Sequence, residues 1–546
     1  MSRIRKTFLL LVGLFALLLI LAALRPLAVP DEGRYGGVGL WMLQSGDWLT
    51  PRLNGIPFFH KPPYLYWLEG LSLATFGIHP WALRLVPALH AGLMLVALYL
   101  AARQASTELI ARRAALMLGS GLGFLIGGQY VNHDMLVAAW ISVAIWCFAL
   151  SFLHGHAALS EAGKVDAGSQ LIESSRPHTN LARLGFVACA FGVLSKGLIG
   201  LVLPGLVLLI WLLWTRQLKK VLYLPWISGL LLFALIALPW FVLIHRQFPD
   251  AMGYLFGTQQ FGRYTGTTFN NARPWWSYLA YLVILLFPWV FFAAYQGLQP
   301  LWSRKKQPRQ LASGSWISLC WIWVLAIIFF FSIPNSKIIG YALPVMPALA
   351  LLAALGWERA FGQSRLGGKL FAVLCGLSLA LAVVLNLAAA RYSEAHSARD
   401  VAAVLACQAG PTDRVYVAGG FPHDLLFYTQ SGRAMVVLQD WSGLRQSAGD
   451  NWRRELFEGA NFDPIAAAVL QSPEVLAAAA AQPGNWLLEP RGAEPVQARA
   501  GWNKTVDGVA WTLFASAAGS APEGPKAAEQ KGLPGCKNQG HDQRLQ

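Results

Sequence analysis

Apolar runs long enough to cross a lipid bilayer recur through the first 390 residues of this chain, and they dictate its fold class. A helix needs about 20 residues to span the hydrocarbon core. Runs near that length lie at 7–25, 82–102, 114–131, 135–153, 184–197, 199–214, 222–244, 279–297, 313–332, 340–356 and 370–390. Backbone groups in lipid have no water to bond, so each run is expected to close its own hydrogen bonds as a helix. Composition agrees, since 55% of the 546 residues are apolar, 23 are Trp and only 13% are charged, outside the range of soluble domains. The expected fold is an all-α polytopic membrane domain over 1–390, with about 11–13 transmembrane helices because several runs are short. The first run follows Arg3, Arg5 and Lys6 as a signal peptide would. It is long, however, lacks a small-residue cleavage pattern before Asp31 and precedes further runs, so it is expected to stay as the first helix.

Basic residues cluster in alternate loops: Arg3, Arg5 and Lys6; Arg103, Arg112 and Arg113; Lys164, Arg176 and Arg183; Arg216, Lys219 and Lys220; Arg304, Lys305, Lys306 and Arg309; and Arg359, Arg365 and Lys369. The positive-inside rule makes that side cytoplasmic. This anchoring accounts for most of the net charge of +16, so no nucleic-acid partner is called for.

Against this bias, Arg34, Arg52, Lys61, Lys196, Arg246, Arg263, Arg273 and Lys337 fall at the opposite, outer ends of helices or in outer loops. An anionic ligand such as a phosphate with its lipid tail in the bilayer would explain them. The competing reading is that some of these cations simply pair with Asp47, Glu69, Asp134 or Asp250, and for Arg52, Arg246 and Arg273 it is the preferred one. Acids join the set on the same side: Asp31 and Glu32 directly after the first run, and Asp134 in V-N-H-D-M. Two outward acids suit cation binding, sugar orientation or acid/base work. The competing reading is that Asp31 and Glu32 cap the next helix while Lys61 snorkels. His133 reads as an ordinary hydrogen-bonding group. Lys196 in L-S-K-G, and Lys337 and Tyr341 in S-I-P-N-S-K-I-I-G-Y-A-L-P, open outward as well. The aromatic loop from His245 to Tyr278 suits an interfacial belt or a cover over a lipid-accessible cavity.

After Ala390 the apolar runs shorten to R-V-Y-V-A-G, A-M-V-V-L-Q, N-W-L-L-E-P and V-A-W-T-L-F, with Ala-rich helical sequence around 464–482. A small α/β or α+β domain over 391–516 is expected, on the outer side for an odd number of spans. The tail, 517–546, reads as disordered. Cys147, Cys189, Cys320 and Cys375 lie in apolar runs as small hydrophobes, whereas a pairing of Cys407 with Cys536 is left open. There is no C-x-x-C, phosphate-binding Gly-rich loop or G-x-S-x-G, which argues against ATPases, nucleotide-sugar Rossmann sites and serine hydrolases.

The ordered set D-E-x-R-Y, N-G-x-x-x-F-H-K-P-P-x-x-Y-W, an outer-loop Asp, S-K-G and S-K-x-x-x-Y-A-L-P resembles the lipid-carrier-dependent membrane glycosyltransferases. The resemblance runs over roughly the first 390 residues, most nearly to the bacterial 4-amino-4-deoxy-L-arabinose (lipid A) transferases and more distantly to protein O-mannosyltransferases. It implies a GT-C-like helical domain with outer juxtamembrane helices and a periplasmic C-terminal domain, in the bacterial inner membrane. It also implies a polyprenyl (undecaprenyl) phosphate sugar as donor and lipid A, another glycan or a protein as acceptor. Carried over by position, Asp31 and Asp134 are the catalytic acids, with Glu32, Arg34 and Tyr35 as cavity neighbours. Lys61, Lys196, Lys337 and Tyr341 match residues around the donor phosphate. Where that family carries Glu before the lysine and Glu-His in the large outer loop, this chain has His60 and Gln259-Gln260. Gln is a poor zinc ligand, so no structural metal and no cofactor are expected, although a divalent metal is left open.

The leaving group of such a donor is a phosphate, which needs fixed positive charge rather than a proton. Asp31 is the expected base for a hydroxyl acceptor, or a positioning group for a phosphate acceptor that is already ionised. A lipid-linked-sugar transporter and a non-catalytic binding subunit are the rival classes. A transporter should show broken polar helices near the midplane, and a binding subunit would not need Asp31.

Overall fold

The computed structural model describes residues 3–161, 177–262, 271–302, 311–447, 449–494 and 499–518. The chain divides into two compact units, the first comprising 1–25, 38–52 and 57–391 and the second 26–37, 53–56 and 392–546. Lys164, Arg176, Arg263, the 304–309 basic cluster, Cys536 and tail residues 519–546 lie outside the described residues.

In the first unit each apolar run coincides for most of its length with one helix or a pair of helical segments. Arg3–Ala23, Pro80–Ala105, His133–Glu161, Thr179–Lys196, Ile199–Trp214, Trp226–Gln247, Leu311–Ser332 and Arg365–His396 are single helices. Three runs are broken. The run at 114–131 becomes Glu108–Ser120 and Leu122–Gly127, parted at Gly121, where a Cβ would press within 3.1 Å of the Leu285 carbonyl. The run at 279–297 becomes Ser277–Leu286 and Val290–Trp302, bent by 117° at Phe287-Pro288, where proline cannot supply a helical N–H. The run at 340–356 starts as a 3₁₀ turn, Ile339–Val345, before Met346–Phe361. Among the described residues, six helices are long and apolar enough to cross a membrane, or seven if the bent pair is one span. Val12–Ala23 and Ile199–Trp214 are shorter apolar helices. The chain is a multi-pass membrane protein.

Helix His133–Glu161 packs along Thr179–Lys196 and Pro80–Ala105, and Met346–Phe361 packs along Val290–Trp302 and Glu108–Ser120. Indole rings pack between helices: Trp146 of His133–Glu161 lies edge-on to Trp323 of Leu311–Ser332 at 5.0 Å between centroids, and Trp357 of Met346–Phe361 lies 4.7 Å from Phe292 of Val290–Trp302. Helices Trp226–Gln247 and Arg365–His396 instead expose leucine and valine, including Leu231, Leu235, Leu377 and Val384, as lipid-facing helices do.

The C-terminal end of the first helix is closed by a buried cation. Arg84, fully buried, donates through Nη1 to the carbonyls of Ala22 and Arg25, each at 2.7 Å. Ala22 lies in the last turn, where helix carbonyls run out of helical N–H partners, and Arg25 lies just beyond it. Arg84→Met keeps the apolar stem and removes both hydrogen bonds, and is expected to cost about 3 kcal/mol. The check is a lower Tm of the detergent-solubilised protein, followed by tryptophan fluorescence.

The hairpin β1 (Arg52–Leu53) and β2 (Ile56–Pro57) precedes a six-stranded sheet in the second unit. Its strands are β3 (Arg414–Ala418), β4 (Val436–Leu438), β5 (Leu470–Gln471), β6 (Asn485–Pro490), β7 (Trp502–Asp507) and β8 (Trp511–Ser516), in the order β5-β4-β3-β6-β8-β7. Pairing is parallel from β5 to β6 and antiparallel from β6 to β7. The four runs read as strands correspond to β3, β4, β6 and β8. The Ala-rich stretch is not one helix, because β5 separates the 3₁₀ turn Ala466–Val469 from helix Val475–Ala480. Pro473 lies between β5 and that helix, where it cannot continue a helical ladder.

Candidate active site

In the first unit the helix ends bring Asp134, Lys196 and Tyr341 together. Asp134 lies in the first turn of His133–Glu161 and Lys196 in the last turn of Thr179–Lys196. Each charge therefore sits at the helix end whose dipole favours it. The ammonium of Lys196 is paired with the Asp134 carboxylate, with side-chain exposures of 9% and 10%, so the pair is largely withdrawn from water. Lys196 Nζ also lies 4.2 Å from the centroid of the Tyr341 ring, a cation–π contact. Asn132 holds the acid from behind: its Oδ1 accepts the Asp134 N–H at 2.9 Å and its Nδ2 donates to the carboxylate at 3.3 Å. Buried His133 spans the same helix ends, with Nδ1 2.7 Å from the Ser195 carbonyl and Nε2 3.2 Å from the Tyr66 hydroxyl. A carbonyl can only accept, so Nδ1 carries a proton and donates to it.

Lys337 is buried, and its Nζ donates to the Pro334 carbonyl at 2.7 Å. Two of its three N–H donors are left for other partners. Its segment bridges to residues 271–273, through Lys337 N to Asn271 O at 3.0 Å and Arg273 N to Asn335 O at 3.2 Å. Lys61 is half-buried in the turn before helix Tyr64–Phe76. Arg52 lies 4.0 Å from Asp47.

His60, Tyr254 and Gln259 form a hydrogen-bonded chain. Gln259 Nε2 donates to the Tyr254 hydroxyl at 2.9 Å, which lies 2.9 Å from His60 Nε2. His60 stacks on Phe58 at 4.5 Å between centroids. Gln260 Oε1 accepts the Leu198 N–H at 2.9 Å, tying this segment to the turn after Lys196. One imidazole with an amide and a phenol does not suit tetrahedral zinc.

The second unit holds Asp31, Glu32, Arg34 and Tyr35, in the first turn of helix Asp31–Ser45. Glu32 is fully buried and its Oε2 accepts the Ala28 N–H at 2.7 Å, in the manner of a capping box. Arg34 pairs with Asp31 through Nη2 and with Glu455 through Nη1. Its guanidinium carbon lies 4.8 Å from the Tyr35 ring centroid. Burial works against the charge of Arg34, but Tyr35, Glu455 and Asp31 outweigh it and hold the guanidinium above its ordinary range. Neighbouring His423 is pushed down to about 3, first by burial and then by the field of Arg34. Glu455 and His423 escaped the sequence reading. The signal available was weak, a P-H-D loop after an apolar strand and an acid in an ordinary polar helix.

The fold thus combines a polytopic helical unit, with charge gathered at helix ends, and a unit with a mixed sheet. The structure superposes on that of ArnT from Cupriavidus metallidurans bound to undecaprenyl phosphate with a TM-score of 0.72 at 22% identity, covering 94% of this chain and 98% of that one. It also superposes on the Archaeoglobus fulgidus oligosaccharyltransferase in its apo form, with a TM-score of 0.50 at 15% identity over 90% of this chain and 70% of that one. Residues 4–255 match the model of the dolichyl-phosphate-mannose-protein mannosyltransferase family. An undecaprenyl phosphate-alpha-4-amino-4-deoxy-L-arabinose arabinosyl transferase of Pseudomonas aeruginosa (strain UCBPP-PA14) is 30% identical over 408 residues, 72% of this chain and 68% of the relative. A Pseudomonas fluorescens (strain Pf0-1) transferase of the same name, number 2, is 32% identical over 355 residues, 63% of this chain; the match spans 58% of that relative's length. The chain belongs to the family of these arabinosyl transferases.

Proposed function

We propose that this chain is a membrane glycosyltransferase that moves a sugar of the aminoarabinose class from undecaprenyl phosphate to lipid A, at the periplasmic face of the bacterial inner membrane. The observation that carries the reading is the Asp134–Lys196–Tyr341 cluster at the helix ends, in a chain related to arabinosyl transferases named for undecaprenyl phosphate. The proposed organisation is a catalytic membrane domain over 1–390, a periplasmic domain over 391–516 and a tail over 517–546.

Lys196, with Lys61, Lys337 and Tyr341, binds the donor phosphate and stabilises it as it leaves. The bond between the anomeric carbon and the phosphate oxygen breaks while a bond to an acceptor oxygen forms, and undecaprenyl phosphate departs with the electron pair. Fixed cations in a partly dehydrated setting stabilise that charge without reorganising. A single displacement inverts the anomeric configuration. A lipid A phosphate is already a nucleophile near neutral pH, and Asp31, held by Arg34, then orients it. For a hydroxyl acceptor on a protein or another surface glycan, Asp31 takes the proton.

The experiment is mass spectrometry of lipid A from a bacterium lacking its own aminoarabinose transferase and expressing this chain. The expected result is a pentosamine mass added to the lipid A phosphates, reduced about a hundredfold or more by Asp31→Asn. Unmodified lipid A, with the protein confirmed in the membrane, would move the acceptor to protein or another glycan. Full transfer by Asp31→Asn would remove Asp31 from the chemistry.

A further inference from the structure

We propose that Glu455 is a positioning residue for the reaction, acting on Asp31 through Arg34; the inference rests on the transfer reading above. The two carboxylates take opposite terminal nitrogens of one guanidinium, Glu455 on Nη1 and Asp31 on Nη2. A planar cation held at both ends cannot turn without breaking one pair, so Glu455 sets the plane against which the Asp31 carboxylate lies.

Four observations make Glu455 a built anchor. It sits in the first turn of helix Trp452–Ala460, the end where the helix dipole favours a carboxylate. That helix is capped by Asn451, whose Oδ1 accepts the Arg453 N–H at 2.9 Å, and is seated by buried Leu456 and Phe457. The helix start that carries Asp31 is seated too, because a Cβ on Gly33 would lie 2.8 Å from His423 C and Asp424 N, in the loop after β3. His423, the nearby titratable ring, stays neutral, so it does not compete with Arg34 for either carboxylate.

The charge count gives Glu455 a second effect. Two acids share one cation, so the hold of Arg34 on Asp31 depends on Glu455. With Glu455 neutralised, Arg34 and Asp31 would close into a one-to-one pair.

The test uses the full chain in proteoliposomes with undecaprenyl-phosphate aminoarabinose and lipid A. Glu455→Gln, which keeps the shape, is expected to lower kcat about 10–100-fold with the donor KM within about twofold. Glu455→Asp is expected to recover part of the rate. In the Asp31→Asn background Glu455→Gln should cost nothing further, because residues acting as one unit are not additive. A substrate-free arm measures Tm for Glu455→Gln, Arg34→Gln and the double variant, whose losses should be coupled. Independent Tm losses, an unchanged kcat in Glu455→Gln, or a full further loss on top of Asp31→Asn would each overturn the proposal. A parent protein inactive on these substrates with coupled Tm losses would overturn the transfer reading while supporting the Arg34–Glu455 tie.

Discussion

Lys196→Ala is expected to cut sugar transfer by about 10²–10³-fold, the usual cost of removing one fixed group that stabilises developing charge. The difficulty in reading such a result is that Lys196 is also half of a largely buried ion pair with Asp134. Removing one partner strands the other, at about 3–5 kcal/mol. The single variants Lys196→Met and Asp134→Leu should therefore both lower Tm. The double variant, with neither charge left, should return near the parent Tm, since replacing a buried pair by apolar groups is often neutral. Transfer should stay lost in all three. An active double variant would mean the pair only holds helices together and Lys196 meets no phosphate. The cation–π contact with Tyr341 gives a finer check, because Tyr341→Phe keeps the ring face and loses only the hydroxyl: a raised donor KM is expected if the hydroxyl meets the phosphate, and an unchanged one would confine Tyr341 to seating the ammonium.

The helical architecture was legible because bilayer thickness imposes a length, and each apolar run in the sequence falls for most of its length on helix. The breaks were not legible. Gly121 and Pro288 sit inside apolar sequence, and only the neighbouring Leu285 carbonyl and the 117° bend reveal what they do. Strands β5 and β7 were missed for different reasons: β5 has two residues, and β7 (W-N-K-T-V-D) is polar because most of its side chains are not buried. For the site, charge placement against the orientation bias picked out Lys196 as an outward cation and Asp134 as one of four acids such cations could pair with, but only the fold selects this partner for Lys196. Glu455 meets Arg34 across 421 residues, and an acid on an amphipathic helix is so common that no local pattern could select it. Likewise, the substitution of Gln259 and Gln260 for charged residues was visible, whereas the chain through Tyr254 to His60 needed the fold.

Gly340→Ala is expected to abolish transfer, by about a hundredfold or more, although this glycine carries no chemistry. Gly340 lies in the turn Ile339–Val345, beside Tyr341, and a Cβ there would run into the Asp134 carboxylate and approach the Asp134 Cβ within 3.1 Å. Asp134 has little room to yield, because Lys196 and Asn132 hold its carboxylate and its own N–H is tied to Asn132. Either the turn backs away, taking Tyr341 off the Lys196 ammonium, or the acid swings and breaks the ion pair. Both routes spoil the cluster, and overpacking of this kind costs about 1–3 kcal/mol in stability. The source of the strain can be identified by relieving it: in an Asp134→Ala background Gly340→Ala should lower Tm no further, while transfer stays low. A Tm loss of the same size in both backgrounds would locate the effect in the turn's own backbone instead. Full activity of Gly340→Ala would mean that the close fit of Gly340 against Asp134 has no bearing on the reaction.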